Sequence, residues 1–291
     1  MNDDLRMVYE SRNRSECSDR ALVLSAVNIP FQIVDDVASC ALLVPAEFSA
    51  QAMTELHQYD DENPPRIVAK PRPLELHNAV PGLIAYGLII CAVAVIADFA
   101  PWGKDWYIAG RVDGVLIRTG EWWRTITALT LHSGPQHLIG NLLFGTLFGL
   151  FAGRLVGSGV AWLSILLAAA SGNALNMFLL ESSHRAIGAS TAVFAALGLV
   201  AGFVWRGKLM AQDRWAYRIG PIVGGFALLM YTGTGGERTD IGAHLMGFLC
   251  GLTAGMLLTA ARGHLSNQRL QLACGIAALA TIGGAWALAI M

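Results

Sequence analysis

Against an apolar background, a few polar residues could do chemistry: Ser190, His244, His137 and Asn141. Gly188-Ala-Ser-Thr-Ala-Val-Phe194 opens an apolar helix with Ser190 in its first turn. A serine there lies beside backbone N–H groups that have no intrahelical partner, at the positive end of the helix dipole. That position suits an oxygen that becomes negative during a reaction. By itself the heptapeptide reads first as close helix packing, because Gly, Ala, Ser and Thr are common where membrane helices meet. His244 lies in Ile241-Gly-Ala-His-Leu-Met-Gly-Phe-Leu-Cys-Gly251. It is either a cap or carbonyl-bonding residue at a helix end, or a general base beside Ser190. Gly247, Gly251 and Gly255 recur every four residues and give this helix a flat face nearly in line with His244.

His137 and Asn141 are spaced i, i+4 and share one helix face. Both can donate hydrogen bonds, which fits an oxyanion hole completed by the backbone N–H of Ser190; the alternative is an interhelical polar clamp. Phe194, one turn after Ser190, is core packing or a ring stacked on His244. No metal is expected, since there is no HExxH and His132 and His137 do not have the helical i, i+4 spacing. Asp98 and Asp240 fall at segment ends and read as solvated rather than catalytic. With no buried carboxylate to orient His244, a dyad is expected rather than a triad.

The elements that must position these residues are membrane helices. Hydrophobic residues make up 54% of the 291-residue chain and charged residues 14%, and the mean hydropathy is +0.50. Those values place the chain among polytopic membrane proteins. The net charge of −1 and the lack of a basic tract exclude a nucleic-acid partner. The 5 cysteines include no CxxC pair, and those in apolar segments read as small buried residues. Residues 1–62 predict a small α+β module of order βαββα, and the polar start MNDDLRMVYESRNR gives no cleavable signal peptide, so the module is expected to be cytoplasmic. Residues 63–78, with Pro64, Pro65, Pro71 and Pro73, predict a stiff linker.

Apolar segments follow at Ala79–Ala100, His137–Leu155, Val160–Leu180, Ser190–Trp205, Ala216–Thr232, Gly242–Ala261 and Leu270–Met291. The fourth and fifth are short against the roughly 20 residues a spanning helix needs. Basic residues such as Arg66, Lys70, Arg154, Arg206, Lys208 and Arg262 gather on one side, while the short opposite loops hold only Arg185 and Arg238. This keeps the N-terminal module inside. The long first outer connection mixes Lys104, Arg111, Arg118 and Arg124 with Trp102, Trp106, Trp122 and Trp123 and reads as a loop lying in the membrane interface. In this topology the second, fourth and sixth segments all enter from outside. His137, Ser190 and His244 therefore share one leaflet.

With Trp123-Arg124, His132-x4-His137-x3-Asn141, Gly188-Ala-Ser190 and Ala243-His244-x2-Gly247 in this order, the chain resembles the rhomboid intramembrane serine proteases over residues 121–260. The resemblance implies a six-helix core over residues 79–261 and, at 262–291, the additional seventh helix of the "6+1" subgroup. It also implies Ser190 as nucleophile and His244 as base, with His137 and Asn141 stabilising the oxyanion. Phe194 would pack on the histidine; Gly198 and Gly247 would pack helices; Gly188, Trp123, Arg124 and His132 would support the site. Ala216–Thr232 and Gly233–Asp240 would be a substrate gate and cap. The implied setting is the bacterial inner membrane, with the site open to the periplasmic side, transmembrane proteins as substrates, the lipid bilayer as surroundings and no cofactor.

Two positions depart from the family pattern. Thr191 follows the nucleophile where glycine is common, and Ala152-Gly-Arg154 stands where a glutamate often anchors the first loop. The rival expectation is a rhomboid-like protein without proteolytic activity that binds membrane partners. A transporter is disfavoured by the lack of intramembrane carboxylates. The sequence carries no signal for oligomeric state or for the physiological substrate.

Overall fold

A computed structural model describes residues 4–35, 39–64, 75–179, 184–207, 223–224, 227 and 240–291. These fall into two compact units, one within residues 1–70 and the other within residues 71–291. Most of the expected fifth segment, the Gly233–Asp240 loop apart from Asp240, and most of the proline linker lie outside the described residues.

The first unit has the order β1 (Leu5–Ser11), α1 (Arg14–Ala26), β2 (Gln32–Asp35), β3 (Cys40–Pro45) and α2 (Ser49–Glu62). Helix α1 starts where the Asn13 side chain accepts the Ser15 N–H, filling one orphan donor of the first turn. The sheet order is β1-β3-β2, antiparallel throughout. The central strand β3 alternates buried and half-buried residues, as a strand covered on one face should. Leu42 and Val44 meet Leu24 of α1 and Leu56 of α2 in a small core.

In the second unit the long helices are α3 (Val80–Phe99), α7 (Pro135–Val156), α8 (Ser158–Leu179), α9 (Ser190–Arg206), α10 (Ile241–Leu258) and α11 (Gln268–Ile290). All but α9 are long and apolar enough to cross a membrane, and α9 has only 17 residues. Between α3 and α7 lie the short pieces α4 (Trp106–Gly110), β4 (Val112–Asp113), α5 (Gly114–Arg118) and α6 (Arg124–Thr127). This first connection is built into the molecule: Ile126 and Leu129 belong to the main core with Phe148, Ile165, Val193 and Leu199. Strand β4 pairs with β5 (Arg185–Ala186), Val112 against Ala186, and so ties the connection to the chain entering α9.

Helices α9 and α10 interlock through glycine. A Cβ on Gly247 would stand 2.6 Å from the Thr191 carbonyl oxygen. Gly251 meets the carbonyl of Ala195 and Gly255 that of Leu199, while Gly198 and Gly202 of α9 receive the carbonyls of Phe248 and Leu252. With a small residue at every fourth position on both helices, the backbones come together as no larger residue would allow. The seventh segment, α11, is fixed to the α7–α8 turn by Gln271. Its side chain donates to Val156 O (3.0 Å) and Leu265 O (2.8 Å) and accepts from Val160 N (3.1 Å). The cysteines are free, and Cys91 is exposed on α3 rather than buried. In lipid an outward cysteine carries no polarity cost, so apolarity alone does not fix its side.

Candidate active site

Ser190 begins α9 and His244 lies one turn into α10. The glycine seam brings the two side chains together: His244 Nε2 is 2.7 Å from Ser190 Oγ. His244 is buried, and its Nδ1 has no hydrogen-bond partner among the described residues. The ring of Phe194 lies 4.6 Å from the imidazole, centroid to centroid, tilted by 36°. That contact packs the imidazole against the ring.

His137 sits in the first turn of α7. The Ser133 N–H points at His137 Nδ1 (3.4 Å), and Ser133 Oγ is 3.1 Å from the same atom. A backbone N–H can only donate, so Nδ1 accepts and the ring proton belongs on Nε2. Gly188, in a left-handed conformation (φ 137°), gives that nitrogen room: a Cβ there would stand 2.7 Å from His137 Nε2. Asn141, one turn on, is buried and donates through Nδ2 to His137 O at 3.1 Å, which leaves the second amide N–H free. Tyr86 of α3 secures the same turn by donating to Asn141 O at 2.7 Å. Ser190, His244, His137 and Asn141 all line one cleft of about 1310 Å³.

The supporting residues are placed as follows. His132 is buried edge-on to His137, with ring centroids 5.2 Å apart. Trp123 packs on the main core. Arg124 is buried, pairs with Glu121 (2.7 Å), and donates to the carbonyls of Ile108 (2.8 Å) and Arg111 (3.2 Å). Thr127 donates to Gly110 O at 2.7 Å. These bonds anchor the first connection from within itself. Where a glutamate was missing near the C-terminal end of α7, Gly153 instead lets Ala79 pack close.

Thr191 is buried, with its methyl directed at Gly247. Asp240 departs from the sequence expectation. It is not solvated: Oδ1 caps α10 by accepting Ala243 N at 2.9 Å, and the carboxylate also bonds Asn176 and His184. Asp98 is bonded too, accepting from Tyr107 Oη at 2.8 Å. Tyr86, Asn176 and His184 had no spacing signal in the sequence, because each meets the site through a tertiary contact, whereas Ser133 reaches His137 locally from just before α7.

Residues 119–261 match the family model described as the Rhomboid domain. The chain thus contains a Rhomboid domain. It is 31% identical to "Rhomboid-like protease 1" of Toxoplasma gondii over 49% of this chain and 49% of that protein. It is 39% identical to "Rhomboid protease GluP" of Bacillus subtilis (strain 168) over 31% of this chain and 17% of that protein. Identity to "Rhomboid-like protease 3" of Toxoplasma gondii is 33%, over 57% and 62% respectively. The chain therefore spans less than two thirds of each of these curated relatives. The match takes in Ser190, His244, His137 and Asn141, whereas Tyr86 on α3 lies outside the matched range.

Proposed function

We propose that this Rhomboid-domain protein is an intramembrane serine endopeptidase that cleaves transmembrane segments of membrane proteins. The observation that carries the reading is the 2.7 Å contact between Ser190 Oγ and His244 Nε2 at the wall of the cleft that His137 and Asn141 also line. Ser190 attacks the scissile carbonyl while His244 Nε2 takes its proton, then returns it to the leaving amine. The oxyanion that forms is met by the Ser190 N–H, by His137 Nε2–H and by the free amide N–H of Asn141. His244 works as half of a dyad.

Helix α9 is 17 residues long, about 26 Å at 1.5 Å per residue, and so shorter than a hydrocarbon core of about 30 Å. If Arg206 stays at the inner surface, Ser190 lies a few ångströms below the outer one. In this orientation residues 1–62 are a cytoplasmic domain joined through the 63–78 linker to the core at 79–261, and the cleft opens to the periplasm. A substrate helix has its peptide bonds satisfied internally, so it must partly unwind to reach the serine. That requirement selects segments with helix-breaking residues. The test is a reporter with such a segment. Ser190→Ala and His244→Ala are each expected to abolish cleavage, and full activity in either one overturns the dyad. Labelling by a fluorophosphonate that depends on Ser190 separates a protease from a rhomboid-like binder without activity, which gives none.

A further inference from the structure

Asp240 and His184 stand at the entrances to the two helices that carry Ser190 and His244. His184 Nε2 is 2.6 Å from Asp240 Oδ2. Asn176, at the end of α8, donates its amide to both carboxylate oxygens at 3.0 Å. The same carboxylate caps α10 through Ala243 N (2.9 Å), and the backbone oxygen of Asp240 accepts the His244 N–H (3.2 Å). On the other side, His184 O accepts Gly114 N at 3.1 Å, and β5 follows it directly into the Gly188–Ser190 turn. The Asp240 side chain is 13% exposed and that of His184 26%. A carboxylate so enclosed costs stability unless its oxygens are bonded. Here they are bonded by α8, by α10 and by the chain leading to Ser190.

We infer that His184, Asp240 and Asn176 form a positioning clamp that fixes the first turn of α10 against the chain entering α9, and so sets the His244-to-Ser190 distance. None of the three touches the reacting atoms. Each acts through the backbone that carries one of them. Gly242 fits the same picture: a Cβ there would collide with Asn176 Oδ1, so the start of α10 is pressed onto the clamp. The inference rests on the serine-protease reading. It adds that the geometry of the pair is held from outside by a carboxylate, imidazole and amide hydrogen-bond network that no motif spacing contains.

The test is a double-mutant cycle on His184→Gln and Asp240→Asn, with Asp240→Ala alongside, in the full-length membrane protein. The readouts are the rate of Ser190 labelling by a fluorophosphonate, kcat and KM on the reporter, and the thermal midpoint. Asp240→Ala should lower kcat and the labelling rate by about tenfold or more with KM nearly unchanged, since misplacing a reacting group by an ångström costs up to about 10²-fold. Asp240→Asn, which keeps an acceptor for the Ala243 N–H, should recover part of that loss. The double variant should be no slower than the slower single one, because both remove the same contact. Wild-type kcat in Asp240→Ala, or losses that multiply in the double variant, overturns the clamp.

A second measurement does not depend on catalysis. Spin labels at Leu175→Cys and Ile241→Cys, in a chain with its native cysteines changed to serine, should give one narrow distance that broadens in Asp240→Asn. An unchanged distribution overturns the clamp even if the wild type proves unreactive, an outcome that by itself would count against the protease reading.

Discussion

Gly247 and Thr191 face each other across the seam between α10 and α9. A Cβ on the glycine would lie 2.6 Å from the Thr191 carbonyl oxygen and 2.9 Å from its methyl. The residue after Ser190 is thus received by a helix with no side chain at that level. Thr191 need not distort the serine turn, because its bulk is absorbed by Gly247.

Gly247→Ala should therefore push α10 away from α9 and draw His244 off Ser190. Overpacking of this kind costs about 1–3 kcal/mol, and loss of the contact should remove most activity. Gly87→Ala on α3, where an added Cβ meets nothing within 4 Å, is the control. Thermal unfolding in detergent and reporter cleavage are the measurements. Equal behaviour of the two variants would mean the seam is looser than described.

The oxyanion role makes a separable prediction. His137→Ala and Asn141→Ala should each lower kcat by about 10²-fold with a smaller change in KM, the usual effect of removing one oxyanion donor. Ser133→Ala should cost less. It removes the hydroxyl at His137 Nδ1 but leaves the Ser133 backbone N–H, which alone still places the ring proton on Nε2. A Ser133 variant as impaired as His137→Ala would argue that the hydroxyl, not the backbone, sets the tautomer.

Much of this site was legible in the chain because helical periodicity carries information. The i, i+4 spacing of His137 and Asn141 put both on one face, and the Gly247-Gly251-Gly255 stripe marked the face of α10 that closes on α9. Alternation of membrane direction gave Ser190 and His244 one expected leaflet, and the two side chains do meet. The clamp was not legible. Asn176, His184 and Asp240 each stand alone near a helix end, where a polar residue is ordinary, and their meeting depends on three chain ends converging. The side on which Cys91 lies was equally hidden, since a membrane helix has no polar face to mark its orientation.

His132 gives a pH-dependent prediction. Burial, aided by the neighbouring His137, pushes its pKa down from 6.5 to about 4. The ring is thus neutral in the folded protein, while the unfolded chain takes up a proton between those values. The contribution to stability is complete above 6.5 and is lost as the pH falls towards 4. The thermal midpoint of the wild type should drop over this window more steeply than that of His132→Gln. Parallel profiles would mean that the ring is not held neutral.

Arg124 is buried and holds two backbone carbonyls as well as Glu121, so its removal takes a donor from each of them. Arg124→Ala should destabilise by about 1–3 kcal/mol for each group left unsatisfied. Arg124→Lys should rescue only part of this, because one ammonium cannot reproduce the planar fork. Thermal unfolding measures both, and full rescue by lysine would reduce the contribution to charge alone.

Helix α11 packs on the first connection. Trp286 of α11 donates its indole N–H to Thr130 Oγ1 at 3.0 Å and packs on Trp106 with ring centroids 4.7 Å apart. Gly110 makes room for that indole, since a Cβ there would meet its six-membered ring. Thr130 lies two residues before His132, and Trp106 opens α4, so one side chain of α11 braces the connection that leads to the oxyanion turn. Trp286→Ala should cost about 3–5 kcal/mol, as large-to-small changes at buried aromatic sites do. Trp286→Phe keeps most of the packing and loses the hydrogen bond, about 0.5–1.5 kcal/mol. If α11 acts on the site through this brace, kcat should fall in both variants in the order Ala, then Phe, with Ser190 labelling following it. A stability loss without any change in kcat would confine the helix to anchoring.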